Sequence, residues 1–374
     1  MCCSNFLVVL MPRPYVGNSS VFRPEATLSL AQLRPLGWKY APFRLRRLGP
    51  SVNGLTRAML GMFAAPRVNM REDYGKVRRV QRRLVSLWRP LRRVPFRQTA
   101  AQVGNRMIPV RIFQPTDRRR NDILVFFHGG GWVTGDIATY TPACAAMADL
   151  TGCTVASVNY RLAPEHPFPA GLEDCVNVAQ QLLDDPRRAG IDNAGDIVLV
   201  GDSAGANLAA AVSLVLRERG HRGPDRQILL YPVTHWDHNP STSPFDSVRE
   251  HGEGLRLTNA EIDAYFDLYV PDAERRRNPH VSPLLASDLS GQPKTLVITA
   301  EQDLLRDEGE AYGQALADAG NEVTIYRVPE ALHGFIQLPK ISRQMRDAYE
   351  VINEFLDAEL AAGQCAPSSG LASS

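Results

Sequence analysis

Ser203 lies in Gly201-Asp202-Ser203-Ala204-Gly205, directly after the expected strand Asp196–Val200 and ahead of a helical stretch that opens near Ala206. Glycines on either side let the chain turn sharply from strand into helix, which lifts the serine hydroxyl clear of the backbone as a nucleophile requires. A glycine-rich turn before a helix can also cradle phosphate, but that use calls for a lysine just after the turn, where this chain has Ala206-Asn207.

Acyl transfer to a serine needs backbone donors for the negative oxygen that develops on the substrate, and a base with a carboxylate behind it. His128-Gly129-Gly130-Gly131-Trp132 ends the apolar run Ile123–Phe127 and can present consecutive N–H groups, with the amide of Ala204 as a further donor. His333 follows the last apolar run, Val323–Tyr326, and Asp303 follows Leu296–Thr299, so acid and base come in the order expected after such a serine. Glu301, Asp307 and Glu308 compete with Asp303. Asp307 and Glu308 suit the first turn of the next helix, where the helix dipole favours acids. His235 and His238 lack the further ligands a zinc site would need and are expected at a surface or lid.

These residues must be carried by a sheet. The runs Ile123–Phe127, Val155–Val158, Ile197–Val200, Ile228–Tyr231, Leu296–Thr299 and Val323–Tyr326 are apolar without alternation, as in parallel strands covered on both faces. Helical stretches fall between them at Thr141–Leu150, Gly171–Leu183, Ala206–Arg219 and Asp307–Ala319, with a last one at Ser342–Leu360. Before them, Arg97–Val103 and Arg106–Phe113 flank Gly104-Asn105 as a hairpin. Residues 1–95 read as a basic arm and lid element with one helix, Asp73–Trp88, whose apolar stripe is Val77, Val80, Leu84 and Leu87. Residues 96–361 read as the main domain, interrupted at about 234–278 by a lid insertion, and 362–374 as a disordered tail.

Taken together, the motifs resemble the hormone-sensitive-lipase branch of the α/β-hydrolases, bacterial carboxylesterases and acetyl-hydrolases. They are HGGGW at 128, YRLAPEHPFPA at 160, GDSAGANLA at 201, LTNAEIDAYFDLY at 257, SPLLASDLSGQP at 282, DLLRDEGEAY at 303 and HGF at 333. The resemblance implies an α/β-hydrolase fold with a mostly parallel central sheet flanked by helices and a helical lid. It implies Ser203 as nucleophile, Asp303 as acid, His333 as base and the amides of Gly129, Gly130 and Ala204 as the oxyanion hole. The long arm and Leu304, where the family often has proline, depart from its pattern. Trp132, Phe168, Tyr265 and Phe266 are candidate walls of the acyl pocket that could equally be core.

The expected chemistry is hydrolysis of short acyl esters through an acyl-enzyme, with no cofactor and no metal. Removal of an acetyl or formyl group from an amine is the competing enzymatic reading. A ligand-binding scaffold without catalysis is the alternative from another class, disfavoured because all three triad members are present.

Composition excludes disorder throughout, with 44% hydrophobic and 22% charged residues. No run approaches the ~18 apolar residues of a membrane span. The six cysteines have no Cys-x-x-Cys spacing, which suits a reducing, cytoplasmic setting, and Phe6–Met11 lacks the basic flank of an export signal. Residues 1–100 hold 19 Lys and Arg against 3 Asp and Glu, and the rest 23 against 37. The arm's arginines are therefore expected on the acidic surface of the chain's own main domain rather than on nucleic acid. Weak contact with a membrane surface through the arm, and a homodimer, are the remaining partner expectations beside a small acyl ester.

Overall fold

The computed structural model describes residues 69–87, 96–192, 194–253 and 256–358. Helix α1 (Met70–Leu87) precedes a hairpin of β1 (Phe96–Val103) and β2 (Arg106–Phe113), whose two-residue turn is Gly104-Asn105. There follow β3 (Ile123–Phe127), α2 (Thr141–Thr151), β4 (Thr154–Val158), α3 (Ala170–Asp184), β5 (Ile197–Asp202), α4 (Ala204–Glu218) and β6 (Arg226–Leu230). Two short helices, α5 (Asp246–His251) and α6 (Asn259–Tyr269), occupy the insertion, and β7 (Lys294–Gln302), α7 (Arg306–Asp318), β8 (Val323–Leu332) and α8 (Arg343–Asp357) complete the domain.

The eight strands form one sheet in the order β1-β2-β4-β3-β5-β6-β7-β8, antiparallel through β1-β2-β4 and parallel from β4 to β8. This is the α/β-hydrolase arrangement the motifs implied. Successive strand side chains leave on opposite faces. Ile123, Val125 and Phe127 thus join a core shared with α3, α4 and α7, while Leu124 and Phe126 join a second core shared with α2 and α8. Every residue of β3, β4 and β5 is buried, which explains why these runs show no alternation.

The β3–β5 register sets Phe127 beside Gly201, so the glycine loop leaving β3 and the serine turn leaving β5 emerge together at one edge of the sheet. The ends of β7 and β8, one residue before Asp303 and His333, open on the same edge.

The arm helix departs from its predicted stripe at Val80. Val80 is 54% exposed, whereas Arg78 reaches in to donate to the carbonyls of Val133 and Ala163 and to the Glu165 carboxylate. Arg82 pairs with Asp136 and Arg71 with Asp267 of α6, and α1 packs along α6. Arg71, Arg78 and Arg82 of the described part of the arm thus lie on acidic groups of the main domain. Among the described residues no helix is long and apolar enough to cross a membrane. The arm and lid element expected over residues 1–68 and 88–95, and the tail at 362–374, fall outside the described residues.

Candidate active site

Ser203 takes φ 56° and ψ −121°, a conformation L-residues rarely adopt. It is held there from both sides: its amide donates to the Leu230 carbonyl at 2.9 Å, and α4 begins at the next residue. Gly205 is required for a steric reason, since a Cβ there would run into the Phe127 carbonyl of β3. The strain is therefore fixed by helix–strand packing and not by the turn alone.

His333 directly follows β8, which runs on well past the predicted Tyr326, and its ring bridges the other two groups. Nε2 lies 2.9 Å from Ser203 Oγ and Nδ1 lies 2.7 Å from Asp303 Oδ2. The Asp303 carboxylate can only accept, so Nδ1 carries the proton and Nε2 is left free to take one from the serine. Asp303 is 2% exposed and its other oxygen accepts from the Leu305 amide at 3.1 Å, so the acid is fixed from behind. Asp307 and Glu308 open α7 as expected, and Glu301 sits within β7.

The glycine loop is pinned through its carbonyls. His128 Nδ1 is 2.9 Å from Gly129 O, and the Gly130 carbonyl accepts from the amides of Val133 (3.1 Å) and Thr134 (2.8 Å) and from Thr134 Oγ1 (3.0 Å). In a planar trans peptide the N–H points opposite to the C=O, so these bonds also set the directions of the Gly130 and Gly131 amides. Neither amide, nor that of Ala204, has a protein acceptor among the described residues. Burial pushes the His128 pKa down to about 4, so the ring is neutral and donates from Nδ1.

The Gly129 amide, expected among the oxyanion donors, is already used: it donates to Asp202 Oδ1 at 2.7 Å. The Gly131 amide, absent from the motif-based set, is one of those left without a protein acceptor among the described residues. Asp202 is buried between this amide and the hydroxyls of Tyr140 (3.1 Å) and Tyr231 (3.4 Å). Burial raises its pKa to about 6 despite these donors. A carboxyl whose folded pKa lies above its unfolded one stabilises the fold at low pH and loses that contribution as pH rises through about 6; two units correspond to about 3 kcal/mol. Asp202→Asn does not titrate. Its melting temperature relative to wild type should therefore climb between about pH 4 and about pH 6 and level off above, and a flat or falling difference across that interval in a thermal-shift series would contradict this.

Of the four proposed pocket aromatics, Trp132 and Phe266 are wholly buried, Trp132 stacked on Tyr269 with ring centroids 4.4 Å apart and Phe266 against its edge. Phe168 is nearly buried beside Tyr269, with Arg275 over its ring. Tyr265 is partly exposed and its ring lies directly against Gly131, so it is the one that meets the glycine loop. His235 and His238, expected at a surface or lid, are instead buried. His238 Nε2 pairs with Glu308 Oε2 at 2.8 Å, and the Thr234 and His235 amides take the other Glu308 oxygen.

A family model described as an alpha/beta hydrolase fold matches residues 124–337. An arylesterase of Saccharolobus solfataricus is 37% identical over 239 residues, 64% of this chain and 76% of that protein. Ethyl acetate hydrolase of Pseudomonas putida is 30% identical over 257 residues, 68% of this chain and 79% of that protein. The hyperthermophilic esterase of the archaeon Pyrobaculum calidifontis matches with a TM-score of 0.71 and 33% identity, over 83% of this chain and 98% of that one.

Proposed function

The chain belongs to the hormone-sensitive-lipase branch of the α/β-hydrolases and is a carboxylic ester hydrolase, and from that premise we propose that Ser203 is its nucleophile on short-chain acyl esters. The observation that carries the reading is the unbroken line Asp303 Oδ2–His333–Ser203 Oγ, at 2.7 and 2.9 Å, on a serine held in a strained turn.

His333 Nε2 takes the Ser203 proton as Oγ attacks the acyl carbon. The amides of Gly130, Gly131 and Ala204 receive the oxyanion, and Asp303 stabilises the imidazolium that forms. His333 then returns the proton to the leaving alcohol. A water enters, loses a proton to the same nitrogen, and releases the acid from the acyl-enzyme. The cycle uses no metal or organic cofactor. Tyr265, against Gly131, forms the wall that limits the acyl group, while Trp132, Phe168 and Phe266 belong to a buried aromatic cluster around Tyr269. The packing of α1 on α6 supports the arm and insertion acting as one lid.

The experiment is a chain-length series of activated esters from acetyl upward, paired with one N-acetyl amide. The expected outcome is a kcat/KM that falls as the acyl chain lengthens, with ester cleaved faster than amide. A rising series would overturn the acyl preference, and faster amide cleavage would make the protein an N-acyl hydrolase on the same site.

A further inference from the structure

The base sits on the segment after β8 and the oxyanion donors on the segment after β3. These two segments are far apart in sequence, and their relative placement decides whether proton transfer and oxyanion binding occur together. A chain of hydrogen bonds behind the nucleophile joins them. Arg256, from the insertion, donates to the Gly334 carbonyl at 3.3 Å and to Gln337 Oε1 at 3.1 Å. Gln337 Nε2 donates to the Tyr140 hydroxyl at 2.9 Å, and that hydroxyl donates to Asp202 Oδ2 at 3.1 Å. Asp202 Oδ1 then holds the Gly129 amide at 2.7 Å.

The direction of each link is forced. A guanidinium has only donors, so the Gln337 oxygen must face Arg256 and its NH2 must face Tyr140. The Asp202 carboxylate only accepts, so the Tyr140 proton is committed to it and the Tyr140 oxygen is left to accept from Gln337. Because every member has one role available, a change at one end reorients the rest, as in other satisfied buried networks.

We infer that Tyr140 and Gln337 are positioning residues that register the His333 segment, and Arg256 of the insertion, against the glycine loop. This rests on the Ser203 reading above. Neither residue touches the reacting atoms; both act through Asp202 and the Gly129 amide. Such a role affects groups whose contribution is greatest in the transition state, so its loss should appear in kcat rather than KM.

Two variants separate positioning from simple packing. Tyr140→Phe keeps the ring against Phe126 and His128 and removes only the hydroxyl. Gln337→Glu keeps an acceptor for Arg256 but offers the Tyr140 hydroxyl a second carboxylate, which draws its proton away from Asp202. Each variant should lower kcat by ~10-fold with KM within ~2-fold of wild type, and the double variant should be no worse than Tyr140→Phe alone because the two act in series. Unchanged kcat in both single variants, a loss confined to KM, or multiplying losses in the double variant would each overturn the inference. Should Tyr140→Phe fail to fold, Gln337→Glu at its more exposed site decides the question by the same kcat and KM measurement. Labelling of wild-type Ser203 by a phosphonate is run alongside. An unlabelled wild type sinks the parent reading and this one together, whereas a labelled wild type with unaltered variants sinks only this one.

Discussion

Ser203→Ala should lower kcat on an activated acetyl ester by ~10³-fold or more while leaving the melting temperature within a few degrees of wild type. The size of the effect follows from the proposed role of Ser203 Oγ as the atom that forms the bond, with His333 Nε2 2.9 Å away and no other hydroxyl at hydrogen-bond distance from that nitrogen among the described residues. The fold should survive because the strain at φ 56° is imposed by the Gly205–Phe127 contact and the amide bond to Leu230, neither of which uses the side chain. Residual turnover is expected, since oxyanion donors and substrate binding alone can retain ~10³-fold over water. Initial rates of the two proteins prepared in parallel, with thermal melts, check both halves. Undiminished turnover by the variant would remove Ser203 from the reaction.

Gly130→Ala is expected to cost ~10²-fold in kcat, the scale of losing one aligned oxyanion donor. Gly130 sits at φ 113°, outside the range of L-residues, and a Cβ there would strike the Thr134 carbonyl. The alanine can be accommodated only if the loop shifts, and the Gly130 and Gly131 amides shift with it because their peptide planes are anchored at the same carbonyls. Gly104→Ala is the control for backbone strain alone: φ is +56° in the β1–β2 turn, nothing lies within 4 Å of the added Cβ, and the reacting groups are elsewhere. That variant should lose about 1 kcal/mol of stability and keep its kcat. If the two glycine variants lose activity equally, the oxyanion assignment is wrong.

The residues that carry local signals were legible. Ser203, Asp303 and His333 each directly follow a strand, and each of those strands contains an apolar run that reveals it without reference to tertiary structure. The sequence shows only the first part of β8, Val323 to Tyr326, because the second half is only partly buried, with Glu330 exposed, so the apolar run stops before the strand does. Gly129 was misassigned for a different reason. Whether its amide is free depends on Asp202, seventy-three residues away, and on the β3–β5 register that brings the two together, which no spacing rule contains. The same holds for Tyr140, Gln337 and Arg256, whose partners are all distant in sequence. In α1 Val80 points to solvent, and the inward side combines Met70 and Tyr74 with Arg78, whose donors go to main-chain carbonyls, a mixture that apolar spacing alone does not anticipate. Trp132 and Phe266 illustrate the limit for aromatics: wall and core place the same demands on residue type, and only burial separates them.

If a single activated serine, Ser203, performs the chemistry, incubation with a serine-directed phosphonate followed by peptide mass analysis should find one adduct, on Ser203, formed in step with the loss of esterase activity and absent when His333 is replaced by alanine. An active protein that takes up no label, or that takes it up on another residue as activity disappears, would contradict it.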